Sequence, residues 1–164
     1  MKPTAVIDSS ALINFVHLEL AKDLHFYFQT IYVPRAVQTE VNRKGRFRYR
    51  LNKLYSKGVF KKCRVGSRTN ALLLRPLHEG EAEALVQASE TGATVFIGDE
   101  KEAREMSARR GILPVGTAWI LARLHLENYA EHPRALVQRL RDEVNFQIAD
   151  EIVDAALRVA HEPI

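Results

Sequence analysis

Apolar and polar positions alternate along this chain in a way that switches repeatedly between two periods. The run Ala5 to Ile7 is short, continuous and apolar, which predicts a buried strand, and it stops at Asp8. Leu12, Ile13, Val16 and Leu20 then recur at helical spacing, predicting a helix from about Ser10 to Lys22. "TIYVPRAVQTEV" repeats the scheme: Ile31 to Val33 favour a strand, Pro34 suits a helix start, and Val37 and Val41 share a helix face. "HEGEAEALVQASETGATVFIGDE" predicts a helix from about Glu79 to Glu90, a stop at Gly92 and a strand in "ATVFI". The helix "EKEAREMSARRG" and the strand "ILPVG" follow. Thr117 is placed to cap a helix carrying Trp119, Ile120, Leu121 and Leu124. Pro133 to Ala160 predicts one or two amphipathic closing helices. Alternating strands and helices imply an α/β fold with a parallel sheet covered by helices on both faces.

Composition narrows this picture. With 164 residues, 46 % of them apolar and 27 % charged, the chain fits one globular domain spanning 1–164 and lacks the signature of disorder. Cys63 is the only cysteine, so neither an internal disulfide nor a Cys-rich metal knuckle can form; a cytoplasmic setting is expected. No stretch approaches the roughly 18 uncharged residues of a membrane span. The net charge of +4 hides an asymmetry, because no Asp or Glu lies between Glu40 and Glu79 while 12 basic residues do. Arg43, Lys44, Arg46, Arg48, Arg50 and Lys53 lead this block, which continues to Arg64, Arg68 and Arg75. A block of this kind can bind a polyanion through counterion release, and Phe47, Tyr49 and Tyr55 within it are candidate base-stacking platforms. The same block also reads as a solvated helical pair whose aromatics face the core.

The chemistry of interest lies in the acids. In an open parallel sheet, ligands collect at the carboxyl ends of strands, where Asp8 and Asp99 are both expected. Glu81, in the first turn of its helix, shares the apolar stripe of Leu85 and Ala88 and should point inward. Glu83, about 200° round the helix, should point outward. Glu40 follows Val37 by three residues and can reach the same rim. Singly, Asp8 could cap a helix, Glu81 favour a helix dipole and Asp99 occupy a turn. Together they would repel one another unless a cation neutralised them, and an all-oxygen set favours Mg²⁺ or Mn²⁺ over zinc.

The segments "AVIDSSALINF", "IYVPRAVQTEV", "HEGEAEALVQASETGATVFIGDEKEAR" and "GILPVGTAWIL", in this order over about residues 4 to 126, resemble the PIN-domain ribonucleases. The Gly-Glu-Ala-Glu helix points to their VapC-like toxin subgroup. The resemblance implies a three-layer α/β/α fold with a central, mainly parallel sheet, extended here by a helical segment over about 127–164. It implies that Asp8, Glu40, Glu81 and Asp99 are the metal-binding catalytic acids, with Ser10 orienting the first. It further implies hydrolysis of RNA to 5′-phosphate and 3′-hydroxyl products, the basic segment holding the RNA, a homodimer, and a cognate antitoxin that blocks the acidic pocket. One departure stands out: many members carry paired acids where this chain has Gly98 and Asp99, and Glu102 could substitute for the missing one. The rival readings are a non-catalytic nucleic-acid-binding or interaction module on the same fold, and a phosphotransfer domain. The second is disfavoured because Asp8 is followed by Ser9 and Ser10, without the adjacent acids or Asp-x-Asp that such domains use.

Overall fold

A computed structural model describes residues 1–63 and 77–164. Its centre is a five-stranded sheet in which all strands run parallel, in the order β3-β2-β1-β4-β5. The strands are β1 (Thr4–Ile7), β2 (Thr30–Pro34), β3 (Phe60–Cys63), β4 (Val95–Ile97) and β5 (Leu113–Val115). Between them run α1 (Ser9–His17), a 3₁₀ turn (Ala21–Phe26), α2 (Arg35–Arg43), α3 (Gly45–Ser56), α4 (Glu79–Thr91) and α5 (Lys101–Arg109). After β5 come α6 (Thr117–Leu126), α7 (Pro133–Val144) and α8 (Asp150–Val159).

Side-chain alternation along the strands creates two cores. Ala5, Ile7, Ile31, Val33, Val95 and Ile97 face a large core closed by α1, α3 and α6, onto which α7 and α8 also pack. Val6 and Phe96 face the opposite side and meet Ala84, Leu85 and Ala88 of α4 and Ala103 of α5. The result is a three-layer α/β/α arrangement. Full burial contributes about 1.5–3 kcal/mol for each large apolar side chain, and Phe15, Phe28, Phe47, Phe96 and Ile97 are all completely enclosed. Among the described residues, no helix is long and apolar enough to cross a membrane.

Local details depart from the expected boundaries where tertiary contacts intervene. Helix α1 ends at His17, a turn earlier than its apolar spacing suggests. Glu19 then adopts a left-handed conformation (φ 61°), and the chain tightens into the 3₁₀ turn. Helix α4 stops at Thr91 with Gly92 at φ 68°, a conformation that costs glycine little. The described part of the basic block forms α3, in keeping with the helical reading of this block, and the edge strand β3, which the apolar pattern leaves unmarked. Phe47 is 1 % exposed in the large core, so the expectation that it could stack a base is overturned. Tyr55 is half-buried, with Lys62 over its ring, whereas Tyr49 is 70 % exposed. Arg64, Arg68 and Arg75 lie outside the described residues.

Candidate active site

The strand order determines where the site lies. After β3 the chain returns to the far side of β1, so β1 and β4 are neighbours whose connections leave in opposite directions, a switch point that opens a crevice at their carboxyl ends. Asp8 ends β1 there, its backbone N–H donating to Ile97 O at 3.0 Å, and Asp99 follows β4. A cleft of about 890 Å³ opens over them, and Asp8, Glu40, Glu81 and Asp99 all line it.

Each acid is held by a different device. Asp8, 2 % exposed, caps α1 by accepting from Ala11 N at 2.8 Å. Burial first, and then the Asp99 carboxylate, push its pKa well above the usual carboxylate range, against the pull of the Ala11 bond. Asp99 accepts from Thr117 N at 2.8 Å and from the Thr117 hydroxyl at 2.6 Å. Burial raises its pKa, while the two Thr117 bonds and the Arg104 guanidinium oppose the rise. The Thr117 hydroxyl in turn accepts from Asn14 Nδ2 at 3.3 Å, so a chain of bonds runs from α1 through α6 to Asp99. Gly116, rather than Thr117, is the N-cap of α6, which frees the threonine side chain for this task. Glu81 accepts from His78 N at 3.1 Å at the start of α4, and burial raises its pKa as well. Glu40 lies exposed on α2 at the cleft rim.

Two positions differ from expectation or extend it. Glu83 does not point outward: it is 5 % exposed, and its carboxylate accepts from Ala36 N at 2.9 Å, capping the start of α2. The reason is that α4 lies against the sheet on one side and against α2 and α5 on others, so a face that periodicity marks as solvated is covered. Pro34, the N-cap of α2, makes no side-chain cap bond, and Glu83 fills that role from another helix. Glu83→Ala is expected to destabilise the protein by about 0.5–2 kcal/mol, the cost of a lost cap, and Glu83→Gln by less because an acceptor remains. Urea midpoints of the two variants check this. Glu102 is exposed, and it is its hydrogen-bonded neighbour Glu100 that lines the cleft.

Sequence reasoning missed Thr117, because a threonine before a helix signals a cap first, and it missed Asn145, Phe146 and Gln147, which also line the cleft. Ser10 lines the cleft and is exposed. Ser9 is 5 % exposed, with a hydroxyl that has no hydrogen-bond partner among the described residues. Arg35 and Arg43 give the rim positive charge beside the acidic floor. Beyond it, Lys44, Arg46, Arg48, Arg50 and Lys53 are exposed, although Arg50 pairs with Glu19 at 3.5 Å and Arg46 donates to Glu143 O at 3.4 Å.

Among the described residues, no three His, Cys, Asp or Glu side chains stand close enough together to hold a metal ion as they are placed. The donor set still fits a hard divalent cation chemically. It is all oxygen, and Asp8 is a buried carboxylate whose charge is opposed by Asp99, Glu81 and Glu40, a repulsion that a cation would relieve.

A family model described as a PIN domain matches residues 4–162. No curated protein matches the chain.

Proposed function

The chain belongs to the PIN-domain family, and from that premise we propose that it is a metal-dependent endoribonuclease hydrolysing RNA phosphodiester bonds. The observation that supports this most is the sharing of one cleft by Asp8, Glu40, Glu81 and Asp99, carried there by four separate elements. A structural explanation accounts for any one of them, but no packing requirement gathers four acids at a switch point. In this reading the four carboxylates hold Mg²⁺ or Mn²⁺. When bound, the ion supplies charge that stabilises the phosphate oxygens and lowers the pKa of a water nucleophile. The chain's own residues do the rest. Asp8 and Asp99 present their oxygens from fixed positions, the first set by the α1 cap and the second by Thr117. Arg35 and Arg43 attract the RNA backbone to the rim, and the exposed bases of α3 extend that field.

Thr117→Val keeps the shape of the side chain and removes the hydroxyl that orients Asp99. Loss of a group that orients a metal ligand typically lowers metal affinity by about 10–100-fold, so the variant is expected to need more Mg²⁺ for half-maximal cleavage, with Thr117→Ser restoring it. A Mg²⁺ titration of cleavage checks this.

The same proposal extends to the toxin role: a toxin-antitoxin pair in which an antitoxin segment occupies the cleft, and a homodimer. Growth arrest on induction, its rescue by a co-expressed partner, and a sedimentation mass test these points. The competing reading is a non-catalytic RNA-binding or interaction module, and it draws on the spacing of the cleft acids, of which no three among the described residues stand close enough to hold an ion as placed. Labelled RNAs incubated with the protein in Mg²⁺, Mn²⁺ or EDTA separate the two. The ribonuclease reading expects cutting that EDTA abolishes. Salt-sensitive binding without cutting in any condition would leave only the module.

A further inference from the structure

We propose that the turn between α7 and α8 reads a nucleobase of the bound RNA through the side-chain amides of Asn145 and Gln147, setting the base preference of the site. This rests on the ribonuclease reading for its substrate class and goes beyond it in naming the residues that choose the sequence.

Three observations support it. The first is position. Asn145 and Gln147 are exposed and line the same cleft as Asp8 and Glu40, although in sequence they lie more than 40 residues beyond Asp99, the last of the four acids. A cleft of about 890 Å³ falls in the range that encloses ligands of nucleotide size and larger.

The second is rigidity. Asn145 ends α7 in a left-handed conformation (φ 58°), and Phe146, 7 % exposed, anchors the turn in the large core while its N–H donates to Leu140 O at 3.1 Å. On the far side Arg141 donates to Ile148 O at 2.6 Å and to Asp150 Oδ1 at 2.7 Å. On the near side Glu143 is paired with His17 of α1, and Arg46 of α3 binds its backbone carbonyl. A turn tied this firmly presents its side chains at little ordering cost, as a specificity element requires.

The third is chemistry. Gln147 Nε2 donates to Asn145 Oδ1 at 3.0 Å, which leaves Asn145 amide hydrogens and the Gln147 carbonyl oxygen without protein partners among the described residues. If both amides are turned over, the pair still offers one donor and one acceptor. Base edges carry adjacent donors and acceptors, and sequence-specific recognition of single-stranded RNA works through such edges. Neutral amides add little to phosphate affinity, so their contribution is selective rather than general.

The test measures binding in EDTA, where no metal-dependent cutting occurs, to labelled RNA octamers of A, of C, of U and of alternating G and U. The proteins are wild type, Asn145→Gly, Gln147→Ala and the double variant; glycine is chosen at 145 because it keeps the left-handed turn. Melting temperatures verify that each variant folds. The expected result is a spread of at least about fivefold among the octamers for wild type. In the double variant that spread should collapse to within about twofold while the salt dependence stays the same. An unchanged spread, an equal loss for all octamers, or no discrimination or binding by wild type would overturn the proposal. Cleavage in Mg²⁺ is scored separately: a protein that discriminates in binding but never cuts refutes the ribonuclease reading and leaves the base-reading turn in place.

Discussion

Asp8→Asn is expected to lower RNA cleavage steeply and, in EDTA, to melt at a higher temperature than the wild type. The two effects share one cause. Asp8 is almost fully enclosed, and its charged form is opposed by burial and by the Asp99, Glu81 and Glu40 carboxylates. Asparagine removes the charge and keeps an oxygen that can accept from Ala11 N, so the α1 cap survives. Cleavage should fall by on the order of 10²–10³-fold, the scale for losing one electrostatic element of an active site. Each kcal/mol of repulsion relieved should raise the melting temperature by about 2–4 °C in a domain of this size. Asp8→Ala loses the cap as well, which costs about 1 kcal/mol, and should melt below the asparagine variant.

The pH dependence follows with a definite sign. A carboxyl whose pKa is raised by folding contributes stability that is fully present below the ordinary carboxylate range. That contribution is lost as pH rises through the raised value. Asp8, Asp99 and Glu81 are all raised, so the metal-free wild type should lose stability as pH climbs from about 4 toward neutrality. Asp8→Asn should flatten that slope. Cleavage should run the opposite way, increasing as the same groups ionise. Thermal melts in EDTA across pH, with and without Mg²⁺, test the scheme. A wild type that is as stable as Asp8→Asn at neutral pH in EDTA, and whose stability does not depend on pH over that range, would contradict it.

Gly98→Ala should damage the site without touching any of its acids. A Cβ at position 98 would sit 2.5 Å from Asp8 Oδ2 and 2.5 Å from the Phe96 ring, closer than carbon atoms tolerate. Phe96 is fully enclosed in the second core, so the strain falls on Asp8 or on the β4 backbone. Overpacking of this kind costs about 1–3 kcal/mol, and a displaced Asp8 should lower cleavage well beyond what that loss of stability explains. The contact also accounts for the missing partner of the acid pair: with Asp8 and Phe96 where they are, position 98 has no room for a side chain. Gly98→Asp should therefore impair the protein rather than improve it. Cleavage rates and melting temperatures of both variants, measured alongside wild type, decide the point, and a more active Gly98→Asp would refute the argument.

Much of this architecture is legible in the sequence because its elements are short and sharply bounded. Continuous apolar triplets such as Val95–Ile97 read as strands, and the glycine at 92 reads as a helix stop because few other residues accept its conformation. Asp8 and Asp99 stand out because each lies at the end of such a strand, Asp8 directly after β1 and Asp99 one residue beyond β4. Periodicity fails where a helix is enclosed on more than one side. Glu83 was expected on a solvated face, yet α2 covers it, because a single helical period assumes one buried stripe. It also says little about α3, where charges on the exposed face mask the apolar stripe of Phe47, Leu51 and Leu54.

The sequence by itself determined the alternation of strands and helices, the acids at the strand ends and the basic block, since each is written in neighbouring residues. Tertiary structure alone decided that β1 lies beside β4, which brings Asp8 and Asp99 together, that Thr117 reaches back to Asp99, and that the turn after α7 borders the cleft. These depend on which surfaces meet across the sheet and between helices. Such contacts join residues far apart in the chain, and local periodicity carries no record of them.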